Sequence, residues 1–236
     1  MNIKAQIVTA LLLTFLAGCA DDPKPEQPII ELQPAQKIIK EALQRGGVST
    51  IHIDQLPITD ADLELIRNNP DITNLLLDES SLTDAGMKTI ASLPNLIHLR
   101  VRSQVSDTCI EDLLTIPGLQ FLNLPFADFT DQGIAQLAKH PKIQLLRLRS
   151  PQLTDESMTS IAEMKNLAFL HLIDIPITDE GLLAFHHSDQ LQSLYIDNGE
   201  TTNEGLSELL TKQPMLHLHV NQAHLDSDPK KDDHDH

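Results

Sequence analysis

Four arginines stand in two pairs spaced by two residues, Arg100/Arg102 and Arg147/Arg149, in a chain of net charge -17. A guanidinium carries a fixed fork of donors that matches a carboxylate or phosphate. Two such pairs brought together would form an anion-binding patch on an otherwise acidic molecule. His217 and His219 repeat the same spacing, and the residues after them add His224, His234 and His236 among Asp226, Asp228, Asp232, Asp233 and Asp235. Imidazole and carboxylate donors suit zinc, copper or nickel; a solvated strand followed by a polar tail accounts for the same residues without a metal. Asp60, Asp84, Asp107, Asp131, Asp155 and Asp179 each follow a Thr or Ser. Read singly they could pass for catalytic carboxylates. Their strict repetition reads instead as a set of helix-start residues. No Gly-rich phosphate loop, nucleophile elbow or H-E-x-x-H occurs.

The elements that must position these groups follow from the repetition. Thr59-Asp60, Thr83-Asp84, Ser106-Asp107, Thr130-Asp131, Thr154-Asp155, Thr178-Asp179 and Thr202-Asn203 recur at steps of 24, 23, 24, 24, 24 and 24 residues. Gly86, Gly133, Gly181 and Gly205 share one column, filled elsewhere by Asp62, Cys109 and Ser157. Four residues on come Ile66, Ile90, Leu113, Leu137, Ile161, Phe185 and Leu209. Then follow apolar pairs spaced by two: Ile51/Ile53, Leu75/Leu77, Leu99/Val101, Leu122/Leu124, Leu146/Leu148, Leu170/Leu172, Leu194/Ile196 and Leu218/Val220. The spacing of two puts both residues on one side of a short strand. The Thr can cap a following helix, and the Asp would then lie in its first turn, where the helix dipole favours negative charge. Pro70, Pro94, Pro117 and Pro141 are read as helix stops. One unit cannot bury its apolar face alone, whereas stacked units share a continuous core.

This period and these columns resemble the leucine-rich-repeat superfamily, in its 24-residue bacterial and cysteine-containing subtype, over about Gln33 to Gln222. The resemblance implies an α/β solenoid, with a curved parallel sheet on the concave face and helices on the convex face. It also implies binding through the concave sheet. The repeat domain is set at 34–222. Ala35 to Arg45, with Ile38, Ile39, Ala42 and Leu43, fits a capping helix that Gly46-Gly47 would end. Residues 223–236 read as a disordered acidic and His-rich tail.

The register gives the outward rows of that sheet. The central row runs His52, Leu76, Arg100, Asn123, Arg147, His171, Tyr195, His219. Before it run Thr50, Asn74, His98, Phe121, Leu145, Phe169, Ser193, His217. After it run Asp54, Asp78, Arg102, Pro125, Arg149, Ile173, Asp197, Asn221. Arg100, Arg102, Arg147 and Arg149 would converge mid-sheet beside Phe121 and Phe169, with His171 and Tyr195 next in the row. These eight residues are the candidate partner site, and Arg and Tyr are favoured anchors at interfaces. The alternative is ordinary strand arginines paired with Asp54, Asp78 or neighbours. His217 and His219 are the candidate metal ligands.

Met1 to Lys4 is a short positive start, Ala5 to Phe15 is an uncharged apolar run, and Leu16-Ala17-Gly18-Cys19 follows. The run is too short to span a bilayer, which takes roughly 20 residues as a helix, and it has the form of a secretory signal. Its ending resembles the lipobox of bacterial lipoproteins. That likeness implies a signal peptide over 1–18 and a lipid on Cys19. Ala20 after it implies sorting to the outer membrane, with the domain facing the periplasm. Residues 19–33, with Pro23, Pro25 and Pro28, read as the lipidated cysteine and its tether. Cys109 stands in a Gly column and reads as a small buried unreactive thiol. Aromatic content of 3% leaves the core to Leu and Ile, and the acidity argues against nucleic acid. The expectation is therefore a monomeric, non-enzymatic binding module of the cell envelope. It needs no cofactor, and its partner is an envelope protein with an acidic surface. The alternative is a periplasmic metal-binding lipoprotein that uses the His-rich C-terminus, with zinc as the ion.

Overall fold

The computed structural model describes residues 33–223. The signal segment, Cys19 with its tether up to residue 32, and the tail from His224 onward lie outside the described residues. Eight parallel strands form one sheet in sequence order: β1 (Thr50–Ile53), β2 (Asn74–Leu77), β3 (His98–Val101), β4 (Phe121–Leu124), β5 (Leu145–Arg149), β6 (Phe169–Ile173), β7 (Ser193–Asp197) and β8 (His217–Val220). Each step from one strand to the next passes through a short helix: α2 (Asp60–Leu63), α3 (Asp84–Ala91), α4 (Ile110–Leu114), α5 (Asp131–Leu137), α6 (Asp155–Ala162), α7 (Asp179–Leu182) and α8 (Asn203–Lys212). A helix α1 (Pro34–Gln44) precedes β1.

The register is the one the repeat predicts. Leu75 lies beside Leu99, Leu122 beside Leu146, and Leu170 beside Leu194. The inner strand pairs and the helix column from Ile66 to Leu209 are buried, except that Val220 at the last strand is only partly so. A column just before six of the seven Thr or Ser positions, comprising Ile58, Leu82, Val105, Phe129, Leu153 and Ile177, is buried with them. Phe129 and Phe185 are the aromatic rings in a buried core otherwise made of aliphatic residues, methionines and Cys109.

Two details differ from expectation. The helices end before reaching the prolines, at Ile66 (where a 3-10 turn prolongs α2), Ala91, Leu114 and Leu137. Helix α6 ends at the same place, Ala162, with Lys165 where a proline would stand, so the stop does not require a proline. In α1, Ala35 and Ile39 are the buried residues, whereas Ile38 is 44% exposed. Ile39, Ala42 and Leu43 of the expected stripe are covered or partly covered, and Ala35 takes the place of Ile38. Gly46 and Gly47 end this helix with φ of 69° and 64°, a left-handed region open to glycine.

The aspartate column does more than complement the helix dipoles. The Thr or Ser does cap its helix: Thr83 Oγ1 accepts from Ala85 N, Thr130 from Gly133 N and Thr202 from Gly205 N. The aspartate, however, reaches forward to the next repeat. Asp60 accepts from Thr83 N at 3.0 Å and from Thr83 Oγ1 at 2.6 Å. Asp84 holds Ser106, Asp107 holds Thr130, Asp131 holds Thr154, Asp155 holds Thr178 and Asp179 holds Thr202 in the same two-bond manner. Every clasp ties one helix start to the next.

The glycine column seats this carboxylate. A Cβ at Gly86 would lie 2.2 Å from Asp60 Oδ1, and one at Gly133 would lie 1.9 Å from Asp107 Oδ1. Where the column carries Cys109, the helix start loosens into a 3-10 turn, Asp107–Cys109. At Ser157 the hydroxyl turns back to Thr154 O at 2.8 Å, with the Asp131 clasp kept. The two ends also follow. The first repeat has no aspartate behind it, and Asp62 fills the column; its Oδ2 takes Thr59 N and Thr59 Oγ1, each at 2.8 Å. In the last repeat no further Thr follows among the described residues, and Asn203 stands where the aspartates stood.

Candidate functional site

The outward rows fall where the register places them. Arg100 neighbours Asn123, Asn123 neighbours Arg147, Arg147 neighbours His171, and Tyr195 lies between His171 and His219. The four arginines sit on strands β3 and β5 or just beyond them, but they do not share one site. Arg100 and Arg147 line a depression of about 630 Å³ in mid-sheet with Asn123, Phe169, His171 and Tyr195. Arg102 and Arg149 line a second depression of about 570 Å³ at the strand ends, beside Phe126, which is 45% exposed. The expected convergence therefore splits in two. Phe121 sits at the margin, edge-on to His98 with ring centroids 5.6 Å apart.

Charge pairing divides the arginines again. Asp78 gathers two arginines and a histidine: Arg100 Nη2 at 2.5 Å, His52 Nε2 at 2.9 Å and Arg102 Nε at 3.3 Å, the last at ion-pair distance without hydrogen-bond geometry. Burial pushes the Asp78 carboxyl up, but His52, Arg100 and Arg102 together outweigh it and hold it below its ordinary range. Arg149 Nε reaches Asp174 Oδ2 at 2.5 Å. That hydrogen bond, with a second from Asn198, draws the Asp174 carboxyl down. Asp174 sits in a left-handed turn (φ 49°) just past β6, a conformation that Asp tolerates better than most residues. His171 Nε2 lies 2.9 Å from Asp197. Arg147 is different: among the described residues it has no ion pair, and its buried Nε has no hydrogen-bond partner. Burial and the field of Arg102 and Arg100 lower its pKa, with Asp197 in partial opposition.

An apolar and aromatic strip runs beside this cation. Phe169 is 41% exposed, and the Tyr195 ring stacks on His219 at 4.6 Å and 16°. His98, next to Arg100, is held below the usual imidazole range, first by burial and then by that arginine. It is therefore neutral at physiological pH.

No protein-family model matches the chain, and no curated protein is significantly similar to it in sequence. Solved structures are similar in shape. One is an internalin from Listeria monocytogenes, with a TM-score of 0.52, 17% identity, and coverage of 75% of this chain and 54% of that one. The fold is a leucine-rich-repeat solenoid. The chain spans about half the length of that internalin, and at this identity the likeness is one of fold.

Within the solenoid, His217 and His219 bring their Nε2 atoms within 2.7 Å of each other. His171, two strands away, is engaged by Asp197. Among the described residues no three His, Cys, Asp or Glu side chains converge as metal ligands; His224, His234 and His236 lie outside them. Cys109 is buried, and burial, with Asp84 and Asp112 nearby, pushes its thiol to about 12.

The rows named most of the residues that line the mid-sheet depression. The alternative pairing with Asp78 holds for Arg100 and Arg102, whereas Asp174, which takes Arg149, stands in none of the rows. A further histidine was not singled out at all. His140 is 4% exposed; its Nε2 lies 2.9 Å from Ile116 O, and Lys142 N donates to its Nδ1 at 3.3 Å. This pairing requires the neutral ring. Its only signal in the sequence is its column, where the flanking repeats carry Ile116 and Met164.

Proposed function

We propose that this solenoid is a non-enzymatic protein-binding module that takes an envelope protein with an acidic surface on the outer face of its sheet. The observation that carries the reading is the mid-sheet depression. An arginine without a counter-ion among the described residues stands there beside exposed Phe169 and half-buried Tyr195, on a chain of net charge -17. Arg and Tyr in a partly desolvated pocket are the usual anchors of an interface. The lipobox-like Leu16-Ala17-Gly18-Cys19 supports a tether by a lipid on Cys19, and Ala20 after it supports placement at the outer membrane facing the periplasm.

The test is in-cell crosslinking of the tethered chain against a Phe169→Ala, Tyr195→Ala variant with an unchanged melting temperature. Loss of the captured protein in the variant supports the face. Equal capture moves the binding surface elsewhere and sinks the reading. Cys19→Ser should release the chain from the membrane fraction; retention there would sink the tether.

A metal-binding role at the C-terminal edge has one observation in its favour, the approach of His217 to His219. Zinc titrated into the full chain, giving the same heat with and without His217→Ala and His219→Ala, would remove it.

A further inference from the structure

We infer that Arg147 alone receives a carboxylate from the partner, carried on an extended protein segment with an apolar side chain two residues away. This rests on the sheet face being the binding face, and it assigns the other three arginines to the solenoid itself.

The first argument is availability. Arg100 and Arg102 share Asp78, and Arg149 holds Asp174. A ligand that recruited them would have to displace carboxylates already in place. Arg147 has no such carboxylate among the described residues. It is half-buried, so an incoming anion meets it with less competition from water, where a charge-assisted hydrogen bond is strongest. One open cation suits a singly charged carboxylate. A phosphate or sulfated sugar needs several, and here it would also face Asp78 next to Arg100.

The second argument concerns the neighbour. Asn123, one strand away in the same row, has a buried Oδ1 without a partner. Strands lie about 4.8 Å apart. The amide offers an acceptor as well as a donor, and a peptide group answers both, whereas an inorganic anion answers only the donor. An acidic residue supplies the carboxylate for Arg147 and the backbone N–H and C=O for Asn123 in one unit.

The third argument is the apolar row. Leu145 lies two residues before Arg147 on β5, with Phe169 beside it on β6. Two residues along a strand span about 6.6 Å. An extended segment running along the strands repeats its own side chains at that same interval. With its acid on Arg147, the side chain two positions away falls on Leu145 and Phe169.

The test uses the full-length chain and end-capped peptides selected from a library fixed at Glu-x-Phe, each compared with its Gln-x-Phe twin by titration. The expected result is that Glu→Gln in the peptide weakens binding at least about tenfold. Arg147→Gln should weaken the Glu peptide by the same factor and make the twins equal, and Arg102→Gln should leave the preference intact. Arg147→Gln should also leave the melting temperature unchanged or higher, since it removes a half-buried uncompensated charge, whereas Arg100→Gln should lower it. A Glu preference that survives Arg147→Gln, or that follows Arg102, overturns the inference. So does equal competition by acetate alone, which would make this a small-anion site, and so does a dimer that Arg147→Gln dissolves, which would give the site to a second copy. The two readings fail separately. If in-cell capture is lost with Phe169→Ala, Tyr195→Ala but kept with Arg147→Gln, the face stands and this inference falls. If both variants keep capture, the face falls too.

Discussion

Replacing Gly86 by Ala should destabilise the native chain yet stabilise one that already lacks Asp60. Gly86 is the third residue of α3, and a Cβ there would lie 2.2 Å from Asp60 Oδ1. The carboxylate must then withdraw from Thr83, or the helix start must shift. Asp60 makes two bonds to Thr83, at 3.0 and 2.6 Å, at a solvent-exposed position. Bonds to a charged acceptor contribute about 1.5–3 kcal/mol when buried and less when wet, so Asp60→Ala should cost about 2 kcal/mol. Cys109 and Ser157 show that this turn can yield to a side chain. Gly86→Ala alone should accordingly cost about 1–2 kcal/mol, less than a core cavity. Without the Asp60 carboxylate, the nearest remaining atom is Leu82 Cβ at 3.4 Å, an ordinary contact. There the alanine should gain up to about 1 kcal/mol of helix propensity. The coupling is then about 2–3 kcal/mol, read from urea midpoints of the four chains at constant slope. If Gly86→Ala costs the same in both backgrounds within about 0.5 kcal/mol, the glycine does not seat the clasp and the reasoning is wrong.

Three other expectations follow from the same geometry. His140 is held below its ordinary pKa of 6.5, chiefly by burial, so the unfolded chain binds its proton first. Stability should be complete above about pH 6.5 and fall as the pH drops below it; His140→Met should flatten that slope in urea midpoints taken at about pH 7.5 and 5.5. Cys109, with its thiol raised to about 12, should react with a disulfide reagent only as fast as the chain opens; rapid labelling of Cys109 in the native chain, with Cys19 replaced by Ser, would contradict its burial. Asp62→Gly should release Thr59 N–H, raising its amide exchange and costing about 1 kcal/mol, whereas Asn203→Asp should change stability by less than that, because no following Thr or Ser stands opposite it among the described residues.

The solenoid was legible because its information is periodic. A step of 24 residues with two apolar residues per strand fixes which side chain lies beside which, so Arg100, Asn123, Arg147 and His171 could be placed in one row before any coordinate was known. What the period does not carry is the direction in which a side chain leans within its row. Asp78 leans toward β3 and takes Arg100; Arg149 leans to a turn residue, Asp174, that belongs to no row. The clasp had a signal that could have been read: each aspartate stands 22 or 23 residues before the Thr or Ser it binds. The column of glycines holds Asp62 only where no aspartate comes before. His140 had none beyond one polar letter in an apolar column, since its partners are backbone groups that every sequence supplies.

The clasps also make the solenoid a chain that writes its own length. Each interior unit offers one grip forward and accepts one from behind, so any two units fit, and whole units could be gained or lost with every junction unchanged. Among the described residues only the first and last units differ, one holding itself through Asp62 and the other carrying Asn203 in place of the aspartate. Growth or shrinkage by recombination would then leave both ends intact and move only the distance between them. It would carry the arginine-bearing row nearer to or farther from either end without redrawing it. Reach and recognition would thus vary independently in descendants of such a chain.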